Sequence, residues 1–134
     1  MERSKNAAVR KIAQMLITDH TASSTKLKSL VDGGQVTGTT LPTAMDERRK
    51  GMIDNLRGAP DAEFDNRYLD QQANAHRETL ILMEGYQTAG QNEPLKAFAG
   101  EVAPKIKAHL DMVNAVDRAD APGAAGGAAS NTTR

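Results

Sequence analysis

Apolar and small residues recur along most of this chain at alternating spacings of four and three. From about Ser4 to Val31 the repeating positions are Val9, Ala13, Leu16, His20, Ser23, Leu27 and Leu30, the heptad rhythm of a helix packed in a bundle. Asp32-Gly33-Gly34 ends that stretch, because glycine readily takes the left-handed conformation at a helix C-terminus. A polar loop follows from Gln35 to Thr40. Leu41-Pro42-Thr43 then predicts the opening of a short helix over 43–57, with Met45, Met52 and Leu56 on its apolar face and proline tolerated in its first turn. Gly58-Ala59-Pro60-Asp61 closes the segment and offers Asp61 as the next N-cap. A third helix is expected from about Ala62 to Ala89, with the seam Leu69, Ala73, His76, Leu80, Met83 and Gln87. Gly90 stops it.

Asn92-Glu93-Pro94 starts the last helix, whose inner face reads Leu95, Phe98, Val102, Ile106, His109, Val113 and Val116. Pro104 removes a backbone hydrogen bond there and crowds the carbonyl four positions back, at Gly100, which predicts a kink. Beyond Arg118 the chain turns to alanine and glycine with no bulky side chain to bury, so residues 119–134 are expected to be a disordered tail. With no strand-like alternation anywhere, residues 1–118 read as one all-α bundle domain of three long helices and one short crossover helix.

The three histidines each fall in a different seam. Measured along the axis, His20 lies about 24 Å from the start of its helix, His76 about 22 Å and His109 about 26 Å. Residues at mid-helix meet at one level whichever way neighbouring helices run, and imidazoles pointing inward from adjacent helices can approach a shared point. Such a trio with a water or carboxylate would suit zinc, copper or nickel. The alternative is structural: His76 shares a stripe with Asp65, Tyr68 and Gln72, and these could form a buried polar network, with Asp19 on the first helix, that sets register without binding anything. Both readings stand at this level.

Several sharper chemistries are excluded. A di-iron bundle needs Glu-x-x-His, whereas the residues three before the histidines are Ile17, Ala73 and Ile106. Glu84 and Glu101 read as solvated surface groups, and Met15, Met83 and Met112 as packing residues rather than copper(I) ligands. Asp19 and His20 are neighbours in sequence, so their side chains diverge by about 100° and cannot orient each other. No nucleophile elbow, phosphate loop or dinucleotide fingerprint occurs.

Composition narrows the partners. Among 134 residues, Lys and Arg number 17 and Asp and Glu number 17, so no net field draws the chain to nucleic acid. Two Tyr, two Phe and no Trp leave no stacking platform for bases. The absence of Cys removes disulfides and thiolate sites. No apolar run approaches the roughly 20 residues of a membrane span, and the first residues do not read as a signal peptide.

The order Met15-Leu16-Ile17-Thr18-Asp19-His20, Leu41-Pro42, Phe64-Asp65-Asn66-Arg67-Tyr68, His76, Leu95-Lys96-Ala97-Phe98-Ala99, Pro104 and His109-Leu110 resembles a bacterial family of unknown function. Its members are exported ferritin-like helical bundles, often labelled outer-membrane proteins. The resemblance spans about residues 5 to 116 and marks Asp19, His20, Asp65, Tyr68, His76, Pro104 and His109 as signature positions. It implies a periplasmic or envelope location and a non-enzymatic role in binding or association, in the context of stress tolerance. Family members usually carry a further helix and a signal peptide ahead of the Asp-His helix, and this chain opens directly into that helix. Three long helices would leave a groove where a fourth packs, which predicts self-association or cover by the short helix. A metal-binding bundle with His20, His76 and His109 as ligands is the alternative function. The small-molecule ligand, if there is one, is not legible.

Overall fold

The structure, a computed structural model, describes residues 2–120. Four helices make up its secondary structure, with no strand among the described residues: α1 (Ala7–Asp32), α2 (Glu47–Arg57), α3 (Asp61–Ala89) and α4 (Glu93–Asp120). The all-α expectation holds, and the differences lie at the helix ends. Asn6 caps α1, its Oδ1 accepting from the amides of Ala8 at 2.9 Å and Val9 at 3.4 Å. At the other end the Gly33 amide donates to Ser29 at 2.9 Å and Gly34 takes φ +76, the left-handed turn anticipated there.

The short helix starts four residues later than Pro42-Thr43 suggested. Asp46 is the reason: its carboxylate accepts from the Arg49 amide at 2.8 Å and satisfies an otherwise orphaned donor, which a proline cannot do. Met45 therefore precedes the helix and is half exposed rather than part of its apolar face. Asp61 is not the cap of α3 either. Pro60 holds that position without a side-chain bond, and Asp61 is the first helical residue, its carboxylate held by Arg3 at 2.6 Å. At the C-terminus α4 runs two residues past Arg118, and it continues unbroken through Pro104. The rest of the expected tail, 121–134, lies outside the described residues.

Packing follows from the short links. Three residues join α3 to α4, so the two run antiparallel and form the tightest helix pair; α1 leans chiefly on α4, and α2 chiefly on α3. Gly100 of α4 faces the Gln87 side chain of α3, whose amide would stand 2.8 Å from a Cβ at that position.

The interior divides into two apolar clusters. One joins Val9, Ile12 and Leu16 of α1 to Leu69 and Ala73 of α3 and Val113 of α4. The other joins Phe98, Val102 and Ile106 of α4 to Leu27, Leu30, Leu80 and Met83. Matching these pairs shows α1 running parallel to α3 and antiparallel to α4. In each long helix the histidine falls between the residues of one cluster and those of the other. Burial also fades along the α1 seam, complete from Val9 to Leu16 and partial from His20 to Leu30, because a groove separates this half of α1 from α3.

Arg3 fastens the chain start to this frame. Its guanidinium donates to the carbonyls of Leu56 at 2.9 Å, Arg57 at 3.2 Å and Ala59 at 2.5 Å, and it lies 4.5 Å from the centre of the Phe64 ring. These carbonyls lie at and just past the end of α2, where a cation also complements the helix dipole.

Candidate metal centre

Three helices bring three imidazoles to one level. The ring centroids of His20 and His76 are 5.4 Å apart, those of His20 and His109 5.6 Å, and those of His76 and His109 5.6 Å. A nitrogen of each ring lies within 4.8 Å of one from each of the other two. His76 and His109 are buried and His20 is half-buried. The near-equilateral arrangement follows from the heptad pattern, which points all three seams at the bundle axis, and from similar depth along neighbouring rods.

Hydrogen bonding engages one nitrogen in each of two rings. His76 donates through Nδ1–H to the Gln72 carbonyl one turn back, at 2.7 Å, so the lone pair sits on Nε2. His109 uses Nε2 instead, 2.8 Å from the Asp19 carboxylate, and its Nδ1 is left without a partner. His76 Nε2, His109 Nδ1 and His20 Nε2 are all buried and have no hydrogen-bond partner. An unpartnered buried polar atom of this kind costs about 1–3 kcal/mol, and three at one place is an unusual concentration.

Burial favours the neutral form of His20 and His76. Burial lowers the pKa of His20, the neighbouring His109 lowers it further, and Asp19 opposes the shift. Burial also lowers His76, with the Gln72 carbonyl opposing and the other two imidazoles adding to it. Neutral imidazole is the form that binds a metal ion. Zinc sits about 2.0–2.1 Å from imidazole nitrogen, so small side-chain rotations would bring the three nitrogens around one ion.

Asp19 is the residue whose role the sequence hid. It cannot orient its neighbour His20, and it does not; its side chain crosses to α4 and holds His109, ninety positions away. Two adjacent residues on one helix point about 100° apart, so one can face the bundle axis while the other reaches the flanking helix. The remaining polar candidates do not join in. No side-chain hydrogen bond links Asp65, Tyr68 and Gln72 to one another; Gln72 contributes its backbone carbonyl, and Gln71 is the residue that reaches α2, donating to Met52 at 3.1 Å. Tyr68 lies parallel to Phe64 at 6.4 Å, and burial raises its pKa. Asp65 has a buried, unpartnered Oδ1, but it lies about 16 Å along α3 from His76. Glu84 and Met112 are exposed, and Glu101 pairs with Lys26 at the surface.

Two adjoining hollows of about 710 and 390 Å3 flank His20 along the groove between α1 and α3. Both are bordered by Ser24 and Gln72 as well, and His76 opens only onto the smaller. No helix among the described residues is long and apolar enough to cross a membrane.

Fold and site together define an all-α bundle with a polar histidine layer between two apolar clusters. The chain belongs to the family described as a domain of unknown function, DUF4142, which matches residues 1–116. No curated protein sequence and no solved structure matches it.

Proposed function

We propose that this protein is a metal-binding helical bundle that holds one divalent transition ion on His20, His76 and His109. The observation that carries the reading is the division of labour within two of the rings. His76 and His109 commit one nitrogen to an orienting partner and leave the other buried and unpartnered within the three-ring cluster. A carboxylate or carbonyl behind a histidine is the usual support of a metal ligand, where it sets tautomer and basicity. Converging lone pairs repel unless a cation or a hydrogen-bond donor lies between them, and an ion held by all three rings fills that role. Three neutral nitrogen donors suit zinc, copper(II) or nickel.

The reading is tested by adding each metal to the purified, chelator-stripped protein and following thermal unfolding and bound metal. One equivalent is expected to bind, with stabilisation of about 2.7 kcal/mol at a free concentration about 100 times Kd. His76→Ala is expected to remove both. If none of the three metals binds or raises Tm, the reading fails. The binding role is non-enzymatic here, and an envelope or periplasmic location is proposed on the family resemblance alone; cell fractionation checks it.

A further inference from the structure

Three imidazoles satisfy three positions around an ion that usually takes at least four, and the smaller hollow lies beside them. That cavity, about 390 Å3, is bordered by His20 and His76 at one end and walled by Leu27, Met83, Phe98, Val102 and Ile106. The volume lies in the range of small-molecule sites. Those five apolar residues belong to the second apolar cluster, while Ser23, Ser24, Gln72 and Thr79 border the remainder with uncharged polar groups. No Lys, Arg, Asp or Glu borders it.

Charge then selects the ligand. A divalent ion on three neutral imidazoles keeps its full charge, and Asp19, hydrogen-bonded behind His109, offsets one unit of it. One positive charge remains uncompensated beside a cavity that offers no anion of its own, where the low dielectric makes the imbalance costly. A monoanion cancels it, and the apolar walls favour one that carries a hydrocarbon chain. We propose that the metal-loaded centre binds a short- to medium-chain aliphatic monocarboxylate, its carboxylate on the open metal position and its chain in the cavity against Leu27, Met83 and Phe98. From His20 to Leu27 the cavity runs about 10 Å along α1, enough for the chain of hexanoate. This rests on the metal-binding reading.

The protein loaded with cobalt(II), whose visible spectrum reports the coordination sphere, is titrated with acetate and with hexanoate. Both are expected to shift the spectrum saturably. Hexanoate is expected to bind at least about ten-fold more tightly, since each buried methylene contributes roughly four-fold. Ser23→Leu, a half-exposed position that borders the cavity and is not a ligand, is expected to abolish the preference for hexanoate while acetate still binds. Equal affinities for the two acids, or a spectrum that neither acid moves, would overturn the proposal while leaving the metal site standing. A preference for hexanoate that Ser23→Leu leaves intact would overturn the placement of the chain. Failure to take up cobalt, zinc, copper or nickel would instead remove the metal-binding reading and this inference with it.

Discussion

A buried imidazole nitrogen without a partner destabilises the chain that carries it, and His76 has one. Replacing it with leucine, of similar volume and no polar atom, removes that penalty. His76→Leu is therefore expected to raise the stability of the metal-free protein by about 1–3 kcal/mol, measured by urea unfolding, while abolishing any stabilisation by zinc. A loss of metal-free stability would point to a structural role for the ring. Asp19 separates orientation from coordination. Asp19→Asn keeps the shape but weakens the hold on His109, so metal affinity is expected to fall about 10- to 100-fold in a chelator competition while the metal-free Tm moves little. His20 and His76 could be placed in helical seams from sequence because each lies on a local three-and-four repeat. The Asp19–His109 bond could not, because nothing local relates residues on separate helices.

Among the elements, α2 is the least anchored. It has no buried residue, packs chiefly on α3, and is held by Arg3 at its C-terminus and by the two-point Arg48–Glu78 pair, at 3.0 and 2.5 Å, on its side. Local opening follows low burial and solvent-exposed backbone bonds. Hydrogen exchange is expected to show 47–57 exchanging ahead of the three long helices, and Arg3→Ala is expected to speed it further without changing protection in α4. Uniform protection across all four helices would contradict this. The existence of all four helices was legible in the apolar rhythm and the glycine stops. Their starts were less so: Asp46 prevails over Pro42 because a side chain that fills an orphan amide outweighs a residue that merely lacks one.

For the whole molecule, the histidine layer couples stability to pH. The folded pKa values of His20 and His76 lie below the ordinary 6.5, chiefly through burial. The unfolded chain thus binds more protons than the folded one near that pH, and stability must fall as protons are added. The metal-free protein is expected to hold its full stability above pH 6.5 and lose it progressively as pH drops through and below that value. Comparing urea midpoints at about pH 8 and about pH 5.5 checks the sign, and the His76→Leu variant is expected to show a smaller drop. A midpoint that rises on acidification would contradict the neutral, buried layer.

Helix identity, the seam positions and the equal depth of the three histidines were written in the sequence, because each depends on spacing within one segment and on the fixed rise of an α-helix. Which ring nitrogen faces inward, which carboxylate stands behind it, and where the cavity opens were decided only when α1, α3 and α4 packed together. Those features depend on distances between residues far apart in the chain, and such distances are set by the mutual rotation and tilt of whole helices, which no local pattern encodes.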